Sequence, residues 1–295
     1  MQRNFSETFM KYVFMVCALL SIVSIILIFY FIFKGGLPFI LEEGVGNFVL
    51  GTSWKPTASN PQFGIFPMIM GSILVTFGAI IIGVPIGVLT AIFLAFFCPK
   101  FLYRWLKPAI NLMAAIPSIV YGFFGLLILV PWSRDLMQTL HLTERGNTGM
   151  NVFTASLLLG IMILPTIIGL SEASLNAVPK SFYDASIGLG ATHERSVMNV
   201  VVPAATSGIF SSIILGIGRA IGETMAVILV AGNQAMIPQA LNHGTRTLTT
   251  NIVLEMAYAA GRHRESLIAT SVVLFVFILI INSVFMVVKS KGDKY

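Results

Sequence analysis

Six long apolar runs, separated by short polar stretches, organise this chain: about 11–33, 67–97, 108–130, 151–171, 204–232 and 266–288. Each is close to or above the roughly 20 apolar residues that a bilayer-spanning helix needs. The pattern predicts an all-α integral membrane protein with six transmembrane helices. Residues 1–10 and 289–295 are left as short tails, 34–66 as a long loop on one side, and 172–203 as a polar loop between the fourth and fifth spans. The first run is too long for the apolar part of a cleavable signal, and no small-x-small site follows it before Lys34-Gly35-Gly36. It is expected to stay as a helix. The 34–66 segment, with Trp54, Pro56 and Pro61, is expected to be a partly ordered loop rather than a domain.

Composition sharpens the class. Hydrophobic residues make up 56% of the chain and charged residues 10%, with a mean hydropathy of +0.90. A soluble domain carries about 25% charged residues. One aqueous core cannot hide this much apolar surface. The net charge of +6 comes from Lys and Arg scattered around the apolar runs, which argues for membrane flanks and against a nucleic-acid face. Cys17 and Cys98 lie in or beside apolar runs and give neither a disulfide framework nor a metal spacing. His141, His193, His243 and His263 fall in different polar segments, so no metal site is expected. No G-x-S-x-G is present, and nothing supports hydrolytic chemistry.

Positive charge sets the expected orientation. One side collects Arg3, Lys11, Lys100, Arg104, Lys107, Lys180, Arg195, Lys289, Lys291 and Lys294, and the other Lys34, Lys55, Arg134, Arg145, Arg246, Arg262 and Arg264. The Lys100–Lys107 cluster and the Lys289–Lys294 tail favour both termini, and the 172–203 loop, in the cytoplasm. Glu172 and Lys180, flanking that loop, read as solvated charges.

Proline and glycine mark bends inside the spans. Pro85 lies between Gly83 and Gly87, Pro117 early in the third run, and Pro165 late in the fourth. Each removes a helical hydrogen bond. For Pro85 and Pro117 a hinge lining a cavity and simple packing remain equal readings. Pro165 reads as packing.

The fifth run carries the unusual chemistry. Within Gly218-Arg219-Ala220-Ile221-Gly222-Glu223-Thr224, Arg219 and Glu223 are four apart and would share a helix face. A charge in a membrane segment costs roughly 2.5–3.5 kcal/mol on insertion scales, so both are functional candidates by default. The alternative is a pair that merely neutralises itself. Gly218 and Gly222 form a G-x-x-x-G step, and Ser212, Gly216 and Ala220 extend a small-residue ridge that admits close helix approach. Asn233 and Asn251 are weaker candidates, placed to line an outer vestibule.

The polar loop holds a second pattern: Asp184-Ala185-Ser186, then Gly190, then Val200-x-Val202-Pro203. Small residues make a slim helix surface, Gly190 admits a backbone conformation others resist, and Pro203 suits the entry to a helix. This spacing resembles the EAA loop of ABC-importer permeases, with Asp for Glu and Ser for the second Ala. The resemblance implies a coupling helix that seats in a groove of a cytoplasmic ATPase.

The run Gly218–Val227 with Ala231-Gly232-Asn233, together with Ile116-Pro117-Ser118-Ile119-Val120-Tyr121-Gly122 and Leu164-Pro165-Thr166, is similar to a narrower family. It resembles the permease subunits of bacterial high-affinity phosphate ABC importers, specifically the C-type (PstC-like), from about residue 60 to the C-terminus. That resemblance implies a type I importer permease fold in the bacterial inner membrane. It implies an A-type homologue as pore partner, two ATPase subunits that use ATP, and an extracytoplasmic phosphate-binding protein, with no cofactor bound by this chain. The chain itself lacks the G-x-x-x-x-G-K-[ST] loop of an ATPase. Arg219, Glu223 and Thr224 are then the substrate-path candidates. Glu223 has two readings: holding Arg219 when the path is empty, or accepting a hydrogen bond from the P–OH of phosphate. A permease for sulfate or molybdate, or a stand-alone ion-coupled carrier, are the competing functions. The carrier would usually show internal repeats, and none is evident.

Overall fold

The computed structural model describes residues 5–141 and 148–292. Arg3, Arg145 and Lys294, counted in the charge bias, lie outside these residues. Among the described residues, five helices are long and apolar enough to cross a membrane, and a bent helix pair makes a sixth. The chain is a multi-pass membrane protein.

α1 (Phe5–Glu43) leads into a short α2 (Val45–Leu50) and an antiparallel hairpin, β1 (Trp54–Lys55) and β2 (Gln62–Phe63), with Trp54 opposite Phe63. α3 (Phe66–Ile92) ends in a π turn, Phe93–Phe97. α4 (Lys100–Ala115) precedes α5 (Ser118–Phe124), a π turn at Gly125–Leu129, and α6 (Val130–Thr139). α7 (Val152–Asn176) is capped by Asn151, whose side chain accepts the Thr154 N–H. α8 (Lys180–Gly188) and α9 (His193–Ser196) follow, then a π turn at Val197–Val201 and α10 (Val202–Ala204). α11 (Thr206–Gly222), α12 (Met225–Val230), α13 (Leu248–Met256) and α14 (Gly261–Gly292) complete the chain.

Three elements differ from the pattern-based expectation. α1 does not stop at Lys34-Gly35-Gly36. A Cβ on Gly36 would lie 2.8 Å from Val272 and 2.9 Å from the Ala269 backbone, so the glycines let α14 pack against a helix that continues past them. The 34–66 segment is correspondingly ordered, and Phe39, Phe48, Trp54 and Phe63 share a core with Leu248 and Leu267. The third span is displaced. Proline keeps the residue before it out of the helical region, and Ile116 (ψ 127°) and Pro117 (ψ 142°) are extended. Pro117 therefore sits at a helix start, not at a kink. Lys100–Ala115 becomes a separate amphipathic helix, and the span runs from Ser118 to Thr139. The fifth run is broken twice. α10 and α11 meet at Ala205, where the flanking segments bend by 67°, and α11 ends at Glu223, whose backbone is extended (ψ 132°).

α3 and α7 form the central pair. Gly83 and Gly87 face Ile163 and Ile167, which a Cβ would approach to 2.7 and 2.8 Å. α3 runs uninterrupted through Pro85, which is exposed, so the glycines beside it are packing positions. α11 lies on α7, with the Ser171 and Ser212 hydroxyls 2.6 Å apart and fully buried. α12 crosses α5, where a Cβ on Gly122 would meet the Ala226 backbone at 2.8 Å. Val75, Leu158, Met162, Ile163, Val227 and Val230 fill the centre of this bundle. Pro165 is buried within an unbroken α7. α1 pairs with α14 at the periphery, and its residues 7–31 are otherwise largely open, as a lipid-facing helix would be, while its end packs into the core around Phe39.

Candidate functional site

Arg219 lies in the last turn of α11 and is half-buried. Its Nη1 donates to Thr166 Oγ1 at 3.3 Å, the one hydrogen bond of its guanidinium among the described residues. No ion pair joins it to Glu223. The helix ends between them, so the i, i+4 face expected from the spacing does not form. Glu223 Oε1 instead accepts the N–H groups of Thr224 (3.1 Å) and Ala226 (3.2 Å), tying off the exposed start of α12. Thr224, at that start, has φ −125° and ψ −56°, and its hydroxyl donates to the Gly222 carbonyl. From the neighbouring element, Thr249 Oγ1 donates to the Glu223 carbonyl at 3.0 Å. The three candidates thus cluster at an interruption of a membrane segment, where backbone groups are held by side chains.

The glycine ridge divides in two. Gly216 packs on Ile167, which a Cβ would approach to 2.9 Å, whereas Gly218 and Gly222 face open space. Among the described residues, the close approach expected at Gly218 and Gly222 is not made.

Asp184, Ala185 and Ser186 all lie on α8. Asp184 and Ala185 are exposed, while Ser186 Oγ accepts from Ser196 Oγ at 2.9 Å and ties α8 to α9. Gly190 ends the helix with φ +90°, a conformation costly for other residues. His193 bridges Tyr183 Oη (2.8 Å) and the Phe96 carbonyl (3.2 Å), anchoring the segment to the end of α3. Pro203 is exposed in the short α10, just before the bend into α11. The small residues are only part of this surface. Phe182 is 50% exposed and Leu189, just past α8, 91% exposed, so the segment also presents apolar side chains that nothing among the described residues covers.

Two polar groups were missed by the pattern. Glu172 is not a solvated charge: it is buried, and receives Lys107 Nζ at 2.6 Å and Tyr103 Oη at 2.8 Å. The hydrogen bond to Glu172, with burial, pushes the Tyr103 phenol above its usual range. Tyr103 and Lys107 are four apart in α4, the spacing that signals one helix face. The acid they meet is 65 residues beyond Lys107. At the opposite end of the bundle, Glu255 collects Arg246, Trp54 and His263. Asn251, proposed from sequence as a vestibule residue, is fully buried and accepts from Arg246. Among the described residues no group of three metal-ligating side chains comes together.

Comparison with known proteins decides the family. Residues 83–291 match the model of the binding-protein-dependent transport system inner membrane component. The chain belongs to that family. This permease is 34% identical over 288 residues to the probable ABC transporter permease protein YqgH of Bacillus subtilis, covering 95% of this chain and 91% of the relative. It is also 34% identical to the phosphate transport system permease protein PstC of Haemophilus influenzae, covering 84% and 83% of the two chains. Among solved structures, its fold is similar to that of the inward-facing MetNI methionine ABC transporter (TM-score 0.60, 19% identity, covering 77% of this permease and 95% of that chain). It is also similar to a bacterial alginate ABC transporter in complex with a periplasmic protein (TM-score 0.64, 13% identity, 96% of both chains). At these identities the structures support the fold alone.

Proposed function

We propose that this chain is the C-type permease subunit of an ATP-driven importer of inorganic phosphate, both termini in the cytoplasm. Its partners would be an A-type homologue across the pore, two ATPases beneath α8 and a binding protein at the opposite end. This permease contributes the path, and ATP is hydrolysed on the separate subunits. The observation that carries the substrate is Arg219: a guanidinium in a broken membrane segment, with one hydrogen bond made and a planar fork of donors left over. That fork matches two oxygens of a tetrahedral anion. The phosphate permeases among its relatives support the same reading.

In this mechanism Arg219 receives the anion from the binding protein in a cavity completed by the second permease. Glu223 acts through the start of α12, whose free N–H groups it holds. It does not compensate Arg219 directly. Binding stays weak, because transport needs release as well as capture. ATPase closure moves α8, and Ser186, Tyr183 and His193 pass that motion to α9 and the end of α3.

The test is uptake of radiolabelled phosphate by liposomes holding this subunit with its neighbouring ATPase, permease and binding protein, against excess cold sulfate. ATP-dependent uptake that ignores sulfate is expected. Uptake blocked by sulfate changes the substrate, and uptake without the ATPase overturns the role of α8.

A further inference from the structure

We infer that a second oxyanion site, distinct from Arg219, lies at the end of the bundle opposite α8, in a cavity of about 390 Å³ lined by Trp54, Lys55, Arg246, Glu255, Tyr258 and His263. The inference rests on the phosphate-import reading and adds a receiving station to it.

The charges there are arranged for a guest. Both Glu255 oxygens are already engaged: Oε1 by Arg246 Nη1 at 2.5 Å, and Oε2 by Trp54 Nε1 at 3.0 Å and His263 Nε2 at 2.8 Å. An ionised carboxylate only accepts, so His263 carries a proton on Nε2. Arg246 is held from two further directions, Nε on the Asn233 carbonyl and Nη1 on Asn251 Oδ1, each at 3.0 Å. Three acceptors fix this guanidinium, yet Nη2 has none among the described residues. Lys55, on the rim, likewise has none. Glu255 balances Arg246, which leaves Lys55 as surplus positive charge. A rigid fork with one arm free and an ammonium on the rim form a donor set suited to a small tetrahedral oxyanion and not to a cation.

The position fits a station on the way in. α13 carries Glu255 near its end and Thr249 near its start, and Thr249 holds the Glu223 carbonyl. Six residues of helix separate them, about 9 Å. An anion at Arg246 sits one short helix away from the interruption at Glu223.

The experiment uses the full complex in nanodiscs without binding protein. Radiolabelled inorganic phosphate is followed by equilibrium dialysis in an Arg219→Gln background, and the control is ATP-driven uptake by the wild-type complex reconstituted separately in liposomes with its binding protein. Saturable residual binding is expected in Arg219→Gln. Adding Lys55→Gln should weaken it roughly fivefold, the scale of one partly exposed ion pair, and adding Arg246→Lys, which keeps the charge and removes the fork, should weaken it further. The Lys55 side chain is exposed and makes no hydrogen bond or ion pair among the described residues, so its variant decides the matter even if Arg246→Lys fails to assemble. Normal wild-type uptake with no saturable residual binding, or residual binding indifferent to Lys55→Gln, overturns the second site alone. Absent wild-type uptake overturns the import reading and this site together.

Discussion

Arg219 and Glu223 show how far a residue pair can be read from spacing. Their isolation in an apolar run announces them, because ionisable groups in membrane segments are costly. Their relationship is another matter. A four-residue separation implies one helix face only while the helix lasts, and here it ends at Gly222. The partner of Arg219 is Thr166, 53 residues away on α7, and sequence spacing holds no record of that contact. Two substitutions separate the roles. Arg219→Gln should leave the complex assembled and lower phosphate uptake by about 10–100-fold, the range for losing a hydrogen bond to a charged group. Uptake at the wild-type rate would remove Arg219 from the path. Glu223→Gln keeps an oxygen for the Thr224 and Ala226 N–H groups and should keep the melting temperature. Glu223→Ala loses that cap and should cost about 1 kcal/mol. If both variants melt alike, Glu223 is not holding the start of α12. If Glu223→Gln also transports normally, its charge plays no part.

At the scale of elements, the continuous apolar runs were legible even through Pro85 and Pro165, and the run whose proline begins a new helix was not. The 67–97 and 151–171 runs appear as α3 with its π turn and as a longer α7. The 108–130 run failed because hydropathy alone does not weigh the pre-proline restriction, which placed a boundary at Ile116-Pro117 and turned Lys100–Ala115 into its own helix. That helix is fastened to α7 by the Lys107–Glu172 ion pair and the Tyr103 hydroxyl. Glu172 is buried, whereas Lys107 keeps 29% of its side chain exposed. Breaking a fully buried pair costs about 3–5 kcal/mol, so Lys107→Met should cost somewhat less, near 2–3 kcal/mol, by stranding the carboxylate. Lys107→Met with Glu172→Leu should recover most of that loss. A double-mutant cycle by thermal unfolding in detergent measures the coupling, and additive losses would show that the pair does not hold α4. The adjoining α8 segment depends on backbone geometry instead. Gly190 has φ +90° in open space, so Gly190→Ala strains the turn without any clash. It should lower coupled ATPase activity while leaving the bundle's unfolding free energy within about 1 kcal/mol of wild type. Unchanged coupling would mean the turn tolerates relaxation.

For the whole molecule, the question is what meets the surfaces that the single chain leaves open. α1 has a lipid-facing exterior, and the α8 segment offers Phe182 and Leu189 beyond the bundle. The third open surface is the flank of α11, where Gly218 and Gly222 have no neighbour and Leu215 is 56% exposed. The small-residue pattern predicts close helix approach, and the sequence does not say whether the approaching helix is the chain's own or another's. Gly216 answers to α7, while Gly218 and Gly222 answer to nothing among the described residues. If a second permease completes the path around Arg219, it must come near this flank, because a half-exposed guanidinium cannot be left facing lipid without large cost. Gly222→Val should therefore leave this subunit folded and inserted, since its Cβ meets no atom of the described residues, yet reduce recovery of the second permease in co-purification. Gly122→Val is the contrasting variant. It drives into the Ala226 backbone, so it should destabilise the subunit itself before assembly is reached. Equal recovery of the partner with Gly222→Val and with wild type would mean that the pore is closed along another face, and that Arg219 reaches its anion without a neighbour at this flank.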